Sequence, residues 1–319
     1  MQGRKSLKSP KRVRALVGCA IVTAVMVISG CSVTTPRNTS YAEYINSALA
    51  VLDKNGLYRD SSEWRNELAT ARKCAPEIDS WIAAYSLLRL AVASAGGVHS
   101  VFLTPADLAA SQGATGETKL PWVETQDGTN VLHLPPLAAA EGTPDAISYS
   151  TAGREAILTN KAKAPCGWVI DLSSNSGGNG IAMLRAIAPL LDSPRAVGFL
   201  YPDGRREWAP QTEMNEGAVR PTAILISGMT RSAAELVLAA FDKQANTVRV
   251  GQPSAGMTTS NQIFPLDDGA EIVLSTAWFL NRQGDKLDGP FTPDIDVPRG
   301  DPQARLIAAT DWVRESCSG

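Results

Sequence analysis

At 319 residues, 44% hydrophobic and 19% charged, the chain is long enough for one large domain or two small ones with a real core. Its formal charge of −2 is unevenly spread: residues 1–30 hold Arg4, Lys5, Lys8, Lys11, Arg12 and Arg14 and no acid, so the remainder carries 24 basic against 32 acidic residues. That acidic body argues against nucleic acid as a partner.

The basic start followed by an apolar run at 15–30 reads as a secretory signal, too short for an ordinary membrane span. Its end, Val27-Ile28-Ser29-Gly30-Cys31, resembles the lipobox of bacterial lipoproteins, which would make Cys31 a lipidated N-terminus and place the body outside the cytoplasm at the membrane. An uncleaved signal anchor is the alternative. Cys74, Cys166 and Cys317 then remain, enough for one disulfide whose pair the sequence does not select. With only His99 and His133 and no close Cys/His spacing, no metal is expected.

Residues 32–39 are polar and read as a tether. The apolar spacing predicts helices from 40 to 55, 62 to 73 and 76 to 93, the third starting at Pro76 and buried between its neighbours. Residues 107–128 read as polar and turn-rich. Then come a strand at 130–134 containing His133, a helix at 145–163, a buried strand at 166–172, a helix at 180–191 and a strand at 196–201. A strand at 221–226 leads into a helix at 233–241; strands near 247–250, 262–266 and 270–280 follow, with a terminal helix at 302–314. Strands alternating with helices predict an α/β sheet preceded by an N-terminal helical segment at 40–104 carrying His99, with the core at 105–319.

The strand-to-helix junction Ser227-Gly228-Met229-Thr230-Arg231-Ser232-Ala233-Ala234-Glu235 is the centre of the functional reading. A serine at a helix N-terminus sits where unpaired N–H groups stabilise negative charge, which suits acyl transfer. Ser232 with Glu235 three residues on is equally a capping box. Gly177-Gly178, between a strand and a helix, can turn N–H groups toward an oxyanion or can be an ordinary turn. If Ser232 needs an imidazole base, only His99, in a loop after Gly96-Gly97, and His133, within a strand, can supply it.

These pieces resemble the C-terminal-processing, or tail-specific, serine peptidases across roughly residues 79–297. Gly167-Trp168-Val169-Ile170-Asp171-Leu172 through Gly177-Gly178-Asn179 resembles that family's IDLRxNxGG strand and turn, and Ser232-Ala233-Ala234-Glu235 its nucleophile motif. Gly251-Gln252-Pro253-Ser254-Ala255-Gly256, Ile263-Phe264-Pro265-Leu266, Asp268-Gly269 and Pro293-Asp294-Ile295 resemble its later landmarks. Two departures matter. Met257 stands where Ser-Lys members carry the lysine, and residues 103–130 leave no room for a PDZ domain of on the order of 80 residues. Val98-His99-Ser100 instead resembles the histidine motif of the branch that includes the nisin resistance protein and the tricorn core peptidase.

The resemblance implies a crotonase-like α/β core without a PDZ domain, and a lipid-anchored extracytoplasmic serine peptidase acting on peptides, with a role in resistance to antimicrobial peptides. Ser232 would be the nucleophile, His99 the base, and Gly177, Gly178 and Ala233 the oxyanion donors, with no cofactor. The dyad requires a His99 ring nitrogen within about 3 Å of Ser232 Oγ, or somewhat looser in an unliganded structure, with the Gly177-Gly178 turn beside them. Asp288, Asp294 and Glu235 are the candidates for orienting His99. A catalytically inactive peptide-binding lipoprotein on the same scaffold is the competing expectation.

Overall fold

The structure is a computed structural model that describes residues 40–112, 118–126, 128–163, 166–209 and 220–318. The leader, Cys31 and the tether lie outside the described residues. Among the described residues no helix is long and apolar enough to cross a membrane.

Helix α1 (Tyr41–Asn55) opens on the Ser40/Glu43 capping box, α2 (Ser62–Cys74) is capped by Ser61, and α3 (Trp81–Gly96) by Ser80. The third helix therefore starts later than its sequence pattern predicts. Pro76 lies in a short 3-10 turn, and Ile78 is extended, which breaks the continuity and leaves Ser80 to cap α3. Nor is α3 buried all round: Leu88, Ala91, Val92 and Ala95 face inward, whereas Ile82 and Leu90 are 81% and 65% exposed, because neighbours cover only one side.

The chain continues through β1 (Val101–Leu103), α4 (Pro105–Gln112), β2 (Trp122–Gln126), β3 (Thr129–His133), α5 (Pro144–Asn160), β4 (Trp168–Asp171) and α6 (Gly180–Ile187). Next come β5 (Val197–Leu200), β6 (Arg206–Trp208), β7 (Thr222–Ile226), α7 (Ala233–Phe241) and β8 (Thr247–Gly251). The last elements are β9 (Thr259–Pro265), β10 (Glu271–Asn281), β11 (Ile295–Asp296) and α8 (Pro302–Ser318). The turn-rich stretch thus contains α4 and β2. Thr104 and Asp107 exchange hydrogen bonds at the start of α4, and β2 is an edge strand with no alternating apolar pattern to betray it.

The architecture is α/β with two sheets. One has the order β11-β8-β7-β4-β3-β2, parallel from β3 to β11, with β2 antiparallel at the edge. Its two central strands, β4 and β7, read as continuous apolar runs because both faces are covered. Residues of α5, α6 and α7 close over one face, those of α8 over the other. A Cys166–Cys317 disulfide ties the approach to β4 to the end of α8, with Cα atoms 5.7 Å apart, and Cys74 takes no part in it.

The second sheet is antiparallel and centred on β10, which pairs with β1, β5 and β9. Helices α1–α3 pack on it through Leu49, Leu52, Leu88, Val92, Phe102, Ile272 and Leu274. The phenols of Tyr44 and Tyr85 both donate to Asp268, at 2.9 and 2.7 Å, fastening the β9–β10 turn to α1 and α3. The described residues from 40 to 318 form one compact unit.

Candidate active site

The apolar run of β7 ends at Ile226, and the loop beyond it is bolted to the loop after β4. Thr230 Oγ1 donates to Leu172 O at 2.8 Å and Ser227 Oγ to Ser173 O at 2.6 Å. Ser232 follows with φ 56° and ψ −118°, and Ala234 N–H closes the turn on Arg231 O at 3.1 Å. These are the angles of the first central residue of a type II′ turn, a position that glycine normally takes. A serine there stores roughly 1–3 kcal/mol of strain.

Of the Ser232–Glu235 capping box the return bond is formed, from Ser232 N–H to the Glu235 carboxylate, while Glu235 N–H bonds the main-chain O of Ser232. Glu235, with no exposed surface, is saturated with donors: Ser232 N–H at 3.0 Å, Met257 N–H at 2.7 Å, Gly256 N–H at 2.7 Å and Ser254 Oγ at 2.6 Å. Burial raises its pKa, and these four hydrogen bonds pull against that rise. Glu235 therefore joins the nucleophile turn to the 254–257 loop and does not orient His99. Met257 contributes its main-chain N–H to this junction.

Beside Ser232 lies the Gly-Gly turn. Asn175, buried, donates through Nδ2 to Leu134 O at 2.7 Å and accepts the Gly177 N–H on Oδ1 at 2.8 Å. Gly177 and Gly178 have φ of 98° and 117°. A Cβ on Gly177 would meet Arg231 O and Ser232 Cβ, each at 2.9 Å, and one on Gly178 would meet Leu137 O at 1.8 Å. With the Gly177 N–H taken by Asn175, the N–H groups of Gly178 and Ala233 are the two of the expected three that have no acceptor among the described residues.

His99 follows α3, half-buried. Its Nδ1 is 2.8 Å from Thr259 Oγ1, and its main-chain O accepts from Asn261 Nδ2 at 2.9 Å. Among the described residues no hydrogen bond joins it to Ser232. Desolvation, then the Arg231 charge, lower its pKa to about 4, against a main-chain hydrogen bond to Thr259 that raises it. Arg231 precedes Ser232, so its field on His99 places the imidazole in the electrostatic reach of the nucleophile turn. Neither remaining carboxylate candidate touches His99: Asp294 pairs with Arg249 at 3.0 Å and Asp288 with Lys286 at 3.2 Å. Its partner is Thr259, which sequence reasoning missed, as it missed Asn175.

His133 is fixed elsewhere. Nε2 lies 3.1 Å from Glu124 Oε1, Nδ1 3.4 Å from Asp171 Oδ2, and the ring stacks on Trp122 with centroids 4.4 Å apart. Burial works to lower its pKa, but the bonds to Asp171 and Glu124 prevail and raise it. With Trp122 it walls a cavity of about 1350 Å³ whose lining also includes Asn175 and Leu137, which brings the cavity up to the Gly-Gly turn.

Comparison with known proteins agrees with this geometry. Peptidase family S41 matches residues 145–297. Nisin-resistance protein of Lactococcus lactis subsp. lactis is 26% identical over 292 residues, 85% of this chain and 86% of that protein. Carboxy-terminal processing protease CtpA of Bacillus subtilis (strain 168) is 26% identical over 132 residues, 41% of this chain and 28% of that protein. In fold, a lipoprotein from Streptococcus agalactiae superposes with a TM-score of 0.74 at 23% identity, covering 90% of this chain and all of the other (100%). The photosystem II D1 C-terminal processing protease superposes at 0.63 and 13% identity, covering 88% of this chain and 98% of the other. The matched segment contains both the Gly-Gly turn and Ser232, so the chain carries a peptidase family S41 domain, and its likeness to nisin-resistance protein runs over most of its length.

Proposed function

We propose that the chain is a lipid-anchored, extracytoplasmic serine peptidase on a crotonase-like core without a PDZ domain. Ser232 attacks the scissile carbonyl, His99 takes its proton and returns it to the leaving amine, and the N–H groups of Gly178 and Ala233 hold the oxyanion. The observation that carries this reading is Ser232 itself: a serine kept in a strained glycine conformation at a helix N-terminus, beside two N–H groups that have no acceptor among the described residues. Strain retained at one residue is characteristic of sites where it serves chemistry. His99 would close on Ser232 when substrate fills the cleft, since such bonds are often loose in the unliganded enzyme.

The cavity beside Trp122 gives the peptide a place to lie, and the likeness to nisin-resistance protein points to antimicrobial peptides as its targets. Incubating the intact protein with a pool of cationic peptides should release fragments, and Ser232→Ala and His99→Ala should each abolish release while retaining the fold. Loss of cleavage should be scarcely greater in the double variant, because residues acting as one unit are non-additive. For the anchor, Cys31→Ala should move the protein out of the membrane fraction; unchanged fractionation would sink that part.

The competing reading is a peptide-binding lipoprotein without catalysis, favoured by Met257 at the lysine position and by the missing His99–Ser232 bond. Normal peptide binding by a wild-type protein that cleaves nothing would select it.

A further inference from the structure

Among the described residues no carboxylate bonds His99, yet the hydrogen bonds around its ring constrain the tautomer. Asn261 Nδ2 faces the main-chain O of His99 at 2.9 Å, and a carbonyl only accepts, so the amide is oriented with Oδ1 on its other side. Oδ1 lies 2.8 Å from Ser275 Oγ, so the Ser275 hydroxyl must spend its single proton there. Ser275 Oγ lies 3.1 Å from Thr259 Oγ1; with its own proton committed, it can only accept, and Thr259 donates. Thr259 Oγ1, its proton likewise committed, can only accept from His99 Nδ1 at 2.8 Å.

We propose that Thr259, Ser275 and Asn261 are positioning residues that lock His99 as the Nδ1–H tautomer, leaving Nε2 bare as the base. This rests on the peptidase reading above for its use. In that use the Ser232 hydroxyl proton moves to Nε2 as Oγ bonds the carbonyl carbon, and Nε2–H then protonates the amine as the C–N bond breaks. A catalytic carboxylate would both select the tautomer and balance the imidazolium. This relay does only the first, being neutral throughout.

The relay is built by the second sheet. Thr259 and Asn261 share one face of β9 by the two-residue repeat of a strand, and Ser275 pairs opposite Asn261. The β10 register shifts between Ser275 and Ala277, where Thr276 is the extra residue. Ser275 N–H also donates to Ser100 Oγ at 2.8 Å, holding the residue next to His99, and Ser275 has no exposed surface, so water does not compete for its hydroxyl.

The chain has two histidines, so ¹⁵N imidazole spectra of the full-length protein can be assigned by comparison with His133→Gln. At neutral pH His99 should show a pyrrole-type Nδ1 and a pyridine-type Nε2. Ser275→Ala, which does not touch the ring, frees the Thr259 hydroxyl to donate to Nδ1, so the Nε2–H form should appear. In the same variant kcat should fall on the order of 10²-fold with KM little changed. Thr259→Ser should keep both the tautomer and the rate. Thr259→Val, which removes the acceptor at Nδ1, gives the same test should Ser275→Ala not fold. An Nε2–H tautomer in the parent, or an unchanged tautomer in Ser275→Ala and Thr259→Val, overturns the relay. Cleavage that persists in Ser232→Ala overturns the peptidase reading alone, because the spectra need no turnover.

Discussion

Gly177 and Ser232 approach so closely that a Cβ on the glycine would stand 2.9 Å from the Cβ of the serine. The Gly177-Gly178 turn and the Ser232 turn are therefore one packed unit, and a change in either is felt by the other. Gly177→Ala should destabilise the protein by roughly 1–3 kcal/mol, from its φ of 98° as well as the clash, and should lower cleavage. Gly178→Ala should be the worse of the two, because its Cβ would lie 1.8 Å from the Leu137 carbonyl, main chain that cannot rotate aside. Denaturant melts of both variants check the order. A Gly177→Ala protein within about 0.5 kcal/mol of the parent would show that the two turns are not rigidly coupled.

Substitution at Ser232 separates strain from chemistry. Alanine keeps the unfavourable φ of 56°. Glycine relieves the strain, against about 0.5–1 kcal/mol of added chain entropy. Ser232→Gly should thus be about 1–2 kcal/mol more stable than Ser232→Ala, with both inactive. Equal melting midpoints would mean that the conformation carries no strain.

The junction from Ile226 to Ala233 was legible in sequence because a continuous apolar strand gives way there to helical periodicity, and the end of β7 and the start of α7 fall where that change predicts. The disulfide pair was not legible, since it depends on α8 folding back over β4. Nor was the partner of His99. Thr259, Asn261 and Ser275 are ordinary strand residues until a bulge in β10 aligns their side chains, and no local pattern reports a register. A carboxylate is the usual partner of a catalytic histidine, but Asp294 pairs with Arg249 and Glu235 accepts from four donors around Ser232 and the 254–257 loop.

The Cys166–Cys317 bridge closes a loop spanning 151 positions, the length at which restricting the unfolded chain matters most. Its removal by Cys317→Ser should cost about 2–5 kcal/mol, and reduction of the denatured parent should expose two more thiols than the unreduced sample. α8 supplies Ala309 and Val313 to the core beneath β4 and β7, so hydrogen exchange should rise first along α8. A variant that melts with the parent and keeps α8 protected would show that packing alone secures the helix.

The final prediction concerns pH. In the proposed mechanism a neutral imidazole is the base, so kcat/KM should fall only as pH drops through the pKa of His99, lowered to about 4 by desolvation and by Arg231. Cleavage should therefore persist well below pH 6.5, where an unperturbed histidine would already be half protonated. Removing the cation with Arg231→Gln relieves the repulsion, raises the pKa and moves the acid limb to higher pH; because Arg231 is exposed, added salt should move it the same way. The linkage has a definite sign too. The unfolded chain binds a proton at His99 near pH 6.5 and the folded chain only near 4, so this group makes stability decline as pH falls between those values. His99→Gln should remove that part of the decline. A parent whose kcat/KM halves near pH 6.5, or an acid limb that ignores Arg231→Gln, would show that His99 is not held in this desolvated, cation-facing state.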